Sequence, residues 1–171
     1  MNDKRKKLYL IGGPMGVGKT TIGQFMKMQL NNCAFLDGDW CWNMDPFQVT
    51  AETKKMVIEN ICFLLNNFIH CPVYENIIFC WVMQEQTILD DILSRLVTKD
   101  CDVISVSLVC TEKELRKRLE QDVKVGLRQA DVIERSISYL PLYSEINAVK
   151  IDTSGKTIVE IAEEIMINLS T

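Results

Sequence analysis

The stretch GPMGVGKT, residues 13–20, matches G-x-x-x-x-G-K-[ST] at every fixed position. A loop of this kind needs a strand feeding into it and a helix leading out, because backbone N–H groups and the helix N-terminus must converge on one anion. Both flanks are present: LYLI is an apolar run of strand length, and TTIGQFMKMQL has helical spacing. Gly13, Gly16 and Gly18 let successive N–H groups curl around a phosphate chain, with Pro14, Met15 and Val17 supplying the backbone between them. Lys19 reaches for the outer phosphates, Thr20 offers a hydroxyl to Mg2+, and Thr21 joins the phosphate-binding set at the helix start. A second GKT at 155–157 fails the motif, since position 150 is lysine where glycine is required. It reads as a tight turn opening the last helix.

Beyond the loop, short apolar runs alternate with helical patterns along the whole chain. LYLIG (8–12), CAFLD (33–37), NIIFCWV (76–82), VISVSLV (103–109) and AVKID (148–152) are continuous more than alternating. That suits strands buried on both faces of a parallel sheet. Helical stripes follow: Ile88, Ile92, Leu93 and Leu96 after the third run, and Ile158, Ile161, Ala162, Ile165 and Leu169 after the fifth. Thr111 with Glu114, and Thr157 with Glu160, have capping-box spacing. The expectation is α/β: a three-layer α/β/α sandwich on a five-stranded parallel sheet, one domain over residues 1–171. Two stretches exceed a minimal crossover. One is an insertion at 43–72, with a helix whose apolar face runs Val57, Ile61, Leu64, Leu65 and Phe68; the other is a polar, glycine-containing bend at 120–136 that reads as a lid.

A chain of 171 residues buries about two thirds of its unfolded surface, so its core needs no disulfides. Its seven cysteines are odd in number, lack a CxxC pair and mostly sit in apolar runs, as small buried hydrophobes of a reducing compartment do. The basic start MNDKRKK precedes an apolar run too short for a signal peptide or a membrane span, which points to the cytoplasm with no membrane association. A net charge of −4 argues against a nonspecific grip on nucleic acid. Small anions need only a local site.

A phosphate loop alone does not separate motor, switch and kinase. No NKxD-like guanine reader appears, and the third run ends Phe79, Cys80, Trp81, Val82, without the carboxylate a motor ATPase carries there. Carboxylates stand instead at the end of the second run, in DGDWCW (37–42). Ligands of an open parallel sheet gather beyond the carboxyl ends of its strands, which puts Asp37 and Asp39 in the cleft. One carboxylate can hold Mg2+ while the other takes the proton of an attacking hydroxyl, and the glycine between them permits an abrupt turn. The structural alternative is an Asx-turn closing the strand.

These features together resemble the nucleoside-monophosphate-kinase-like P-loop kinases over nearly the whole chain: GPMGVGKTT, DGD after the second strand, the helical insertion, LRKRL after the fourth strand, and a lid followed by RSISYLPLY. DGD is similar to the acidic signature of small-metabolite kinases and resistance phosphotransferases, such as shikimate, gluconate, adenylylsulfate and chloramphenicol kinases. The resemblance implies a P-loop NTPase fold, ATP and Mg2+ as cofactors, an insertion after strand two that binds the acceptor, and a lid that brings arginines over the transferring phosphate. It implies that Arg118 stacks on adenine and that Arg128 and Arg135 are lid arginines, sharing a helical face if that helix begins near 128. Asp131 pairing with Arg135 is the structural alternative. Asp122 departs from the pattern, because an arginine often stands there.

On the acceptor side, Trp40 and Trp42 follow the carboxylates, and Phe47 and Trp81 are candidates for the same cleft edge, with Asp39 and Gln84 as hydrogen-bonding groups. No cation occurs from 37 to 53. That leans away from sugar acids and nucleoside monophosphates and toward a nucleoside-like or antibiotic-like acceptor. The wedge alternative, tryptophans fixing the inserted helix to the sheet, stays open. The reading is an ATP-dependent phosphotransferase acting on a small-molecule hydroxyl, as monomer or homodimer. A nucleotide-sensing regulator without transfer, and a kinase of RNA ends or nucleotides, are the alternatives.

Overall fold

The computed structural model describes residues 5–168 and contains one sheet. Its strands are β1 (Lys6–Gly12), β2 (Cys33–Asp37), β3 (Asn76–Cys80), β4 (Cys101–Val109) and β5 (Val149–Asp152), all parallel, in the order β2-β3-β1-β4-β5. β1 shows why the apolar runs are continuous. Leu8 and Leu10 enter the core on one face, Tyr9 and Ile11 the core on the other, and all four are essentially fully buried.

Helices α1 (Lys19–Gln29) and α6 (Ile158–Asn168) cover the Tyr9 face, through Ile22 and Met26 and through Ile161, Ala162 and Ile165. On the Leu8 face lie α2 (Ala51–His70) and α3 (Gln86–Arg95), through Val57, Ile61 and Leu65 and through Leu89 and Ile92. The expected α3 stripe omitted Leu89, which is buried where Ile88 and Leu93 are only partly so. Ile158, expected in the α6 stripe, is exposed, and Leu169 lies outside the described residues. Thr157 and Glu160 form the expected reciprocal cap, whereas Thr111 caps Glu114 N–H but receives its own backbone partner from Ser154.

The third strand stops at Cys80, not at residue 82. Beyond it the Val82 carbonyl turns to accept from Gly13 N–H and from the buried Tyr143 hydroxyl, and Met83 takes φ +43°. After β4 come α4 (Glu112–Lys124), a turn, α5 (Val132–Tyr139) and a 3-10 segment (Leu140–Glu145). The expectation that one helix begins near 128 and aligns Arg128 with Arg135 is therefore corrected: Gly126 at φ +78° breaks the chain, and Arg128 sits in the turn before the helix. Leu115, Leu119 and Val132 form a separate small core that packs against Met15 of the phosphate loop. Among the described residues no helix is long and apolar enough to cross a membrane. All seven cysteines are free, and none is fully exposed.

Candidate active site

The register brings the loop and the acidic turn to one edge. Ile11 pairs with Cys80 and Cys80 with Asp37, so the chain leaving β1, β2 and β3 emerges at the same level. In the loop, Gly13, Gly16 and Gly18 all have positive φ. At Gly16 the requirement is double: φ is +83°, and a Cβ there would lie 2.5 Å from a methyl of Leu119. That contact presses α4 directly onto the loop. Ser136 on α5 adds a second tether, its buried hydroxyl donating to the Met15 carbonyl at 2.6 Å. Sequence reasoning passed over Ser136 and Tyr143. Their signal was a polar atom within the apolar spacing of RSISYLPLY.

Gly18 caps α1 in the left-handed region with no side-chain acceptor, and the first turn carries no acidic residue. The N–H groups and positive end of α1 are therefore left for an external anion. The Lys19 ammonium closes the loop on itself, donating to the carbonyls of Gly13 (2.8 Å) and Pro14 (3.0 Å). Burial lowers its pKa to about 8, against the opposing pull of Asp39 and Asp37. Thr20 and Thr21 lie on the wall of the same cavity, about 300 Å³, together with Gly16, Gly18, Arg118 and Arg128.

The acidic turn begins at Asp37, which is 8% exposed and caps a 3-10 turn (Gly38–Trp42). Its Oδ1 accepts the Asp39 N–H at 3.0 Å while its Oδ2 accepts the Thr20 hydroxyl at 2.7 Å. The Asx-turn thus occupies one oxygen of the carboxylate and leaves the other on the Thr20 hydroxyl. Gly38 is absent from the positive-φ residues, so it is not there for an abrupt turn. It is there for space: a Cβ would lie 2.4 Å from Cγ of Trp81, whose ring packs on the glycine. Burial, then the neighbouring Asp37, raises the Asp39 carboxyl above its usual range, and Lys19, the nearby Trp81 indole and Arg128 pull it back. α2 fixes the turn from behind, with Asn60 donating to the Cys41 carbonyl at 3.0 Å.

Three of the four expected aromatic residues meet. Trp42 stands 5.0 Å from Phe47 and 6.4 Å, edge-on, from Trp81. Trp40 does not join them: it packs edge-on against Phe35 at 5.5 Å, 58% exposed. The 3-10 geometry explains this, since residues two apart on such a turn point to different sides. Gln84 is half-buried in the loop between β3 and α3.

Arg118 is held in the plane of its guanidinium by Glu114, the Val17 carbonyl and both oxygens of Thr153. Arg128 lines the cavity and donates to Asp122 at 3.0 Å. The departure at Asp122 therefore acts on an arginine of the turn, holding it at the cavity. Arg135 instead pairs with Asp131 at 3.1 Å, half-exposed.

A hydroxyl on the cavity wall and a carboxylate oxygen 2.7 Å apart are hard donors of the kind magnesium takes, and the uncapped helix start beside them fits a polyphosphate. Among the described residues no cluster of three or more His, Cys, Asp or Glu is placed to hold a metal.

A strand order of β2-β3-β1-β4-β5 with this loop after β1 is the P-loop NTPase fold, in the form shared by P-loop small-molecule kinases. The chain belongs to the family described as AAA domain, whose profile matches residues 10–135. Among solved structures it is similar to a gluconokinase from Sinorhizobium meliloti 1021, with TM-score 0.72 and 15% identity over 98% of this chain and 93% of that one. It is also similar to the tunicamycin resistance protein of Deinococcus radiodurans, with TM-score 0.69 and 20% identity over 94% of each chain. A third is the Mycobacterium tuberculosis APS kinase CysC in complex with AMPPNP and APS, with TM-score 0.67 and 12% identity over 98% and 99%. No protein of curated function matches the sequence.

Proposed function

We propose that this chain is a Mg2+- and ATP-dependent phosphotransferase that moves the γ-phosphate of ATP to a hydroxyl of a small molecule. The observation that carries the proposal is the Asp37 carboxylate, bonded through one oxygen to the Thr20 hydroxyl and through the other to the Asp39 backbone. This links a metal-ligand pair to a second carboxylate of raised basicity, beside a lysine in the phosphate cavity. A fold shared with small-molecule kinases supports the same reading.

In this reading the loop amides and Lys19 hold the phosphates, and Thr20 and Asp37 would hold magnesium, which would supply charge neutralisation. Lys19 exchanges its two loop carbonyls for phosphate oxygens, regaining charged partners for an ammonium held out of water. Asp39 accepts the hydroxyl proton at its carboxylate, and Arg128 bears on the charge of the transferring group. Four in-plane hydrogen bonds fix Arg118, which leaves the flat face of its guanidinium for an adenine ring. The insertion 43–72 supplies the acceptor wall, and 120–136 is the lid.

A coupled ADP-release assay with a panel of hydroxyl compounds tests this. Asp39→Asn is expected to lose about 10²–10⁴ of turnover by losing the proton acceptor, and Lys19→Ala to fall to the blank. Wild-type turnover in Asp37→Asn and Asp39→Asn would sink the mechanism.

A further inference from the structure

We infer that the acceptor is a ring-bearing alcohol without negative charge, seated with its ring in the corner formed by Trp42, Phe47 and Trp81 and its hydroxyl at Asp39. This rests on the phosphotransferase reading and narrows it to a substrate class.

Two independent observations carry the inference. First, Trp42 is inclined to Phe47 by 51° and to Trp81 by 74°, so the three rings form an angled cluster rather than a parallel stack. Phe47 remains 57% exposed at the outer end of that corner, and Val49 beside it on the same loop is 55% exposed. A row of exposed apolar side chains running into a polar site is the arrangement of a ligand wall, with few polar groups setting orientation. The inner end is tied to the chemistry, because Trp81 both meets Trp42 edge-on and packs over Gly38, the residue between Asp37 and Asp39.

Second, the charges around the corner are of one sign. Residues 38–53 contain Asp39, Asp45 and Glu52 and no lysine or arginine. The next cations, Lys54 and Lys55, stand exposed early in α2, and Lys55 is engaged by Glu59 at 3.7 Å. The cations that bear on Asp39 are Lys19 and Arg128, which line the phosphate cavity. A carboxylate or phosphate on the acceptor would meet Asp37 and Asp39 with no counter-charge on its own side of the site. An uncharged ring loses nothing to this field, and an amine on it would be attracted.

The test is an ADP-release panel built from matched pairs: ring alcohols that are uncharged or amine-bearing, each beside a counterpart that keeps the hydroxyl and gains a carboxylate, such as uridine and orotidine. Gluconate and shikimate serve as ringless or non-aromatic anions. Turnover is expected among the uncharged and amine-bearing ring compounds, with the carboxylated partner of each poorer in kcat/KM by about tenfold or more. Phe47→Ala is expected to raise KM for the preferred ring alcohol by about tenfold with kcat changed far less. Introducing a cation, Gln48→Lys, is expected to narrow the gap within each pair. Equal or better use of gluconate, shikimate or the carboxylated compounds would overturn the inference and leave the phosphotransferase reading standing. Tight Mg-ATP binding without phosphorylation of any compound would overturn both.

Discussion

A methyl group on Gly38 would have to enter space filled by the Trp81 ring, 2.4 Å from its Cγ. Gly38→Ala is therefore expected to cost about 1–3 kcal/mol by overpacking, and to displace the neighbouring Asp39. Thermal denaturation of the variant, of Trp81→Ala and of the double variant checks this: the double variant should cost less than the sum of the two, because the clash is gone. Strict additivity would mean that the ring and the glycine do not press on one another. The same residue marks how far sequence reading reaches. GPMGVGKT and the Asp37–Asp39 pair were legible because each is continuous in sequence and answers to one anion or one metal. The reason for the glycine was not, because the atom that excludes a side chain comes from a different strand. Trp40 failed likewise: adjacency to the carboxylates suggested the cleft, and the 3-10 turn sent its ring to Phe35.

At the scale of elements, the break at Gly126 separates two arginines that spacing alone would have aligned. Arg128, in the turn, lines the phosphate cavity and is held there by Asp122; Arg135, on α5, faces Asp131 near solvent. Arg128→Ala is accordingly expected to lower turnover by about tenfold or more, and Arg135→Ala by much less. Steady-state kinetics on both variants decides it, and a larger loss at Arg135 would reverse the assignment. Strand and helix positions were legible from apolar runs and stripes, since burial on both faces of a sheet leaves a direct mark on sequence. The docking of α4 and α5 on the loop was not. It depends on Leu119 filling the space over Gly16 and on Ser136 reaching the Met15 carbonyl, long-range contacts with no local signature.

For the whole molecule, Lys19 sets fold stability against nucleotide binding. Its half-buried ammonium has two carbonyls as partners, and desolvation lowers its pKa from 10.5 to about 8. Between those values the unfolded chain binds the extra proton, so this one group makes the nucleotide-free fold more stable as pH rises. Buried thiols work the other way above their usual range, with Cys33 and Cys62 pushed up to about 11, but they are common to wild type and variant. Lys19→Met without nucleotide is therefore expected to melt no lower than wild type at pH 7, with its relative advantage shrinking as pH passes about 8. Mg-ATP should raise the melting temperature of wild type and not of the variant. Scanning calorimetry across pH reads both, and a variant that melts well below wild type at pH 7 contradicts the account. The placement of the indoles has an optical consequence. The chain holds three tryptophans, and Trp40, Trp42 and Trp81 all belong to the acidic turn or the strand end packed on it. No other part of the sequence contributes indole emission, so its intrinsic fluorescence is a spectroscopic view of the acidic turn and the strand end packed on it, with no label required.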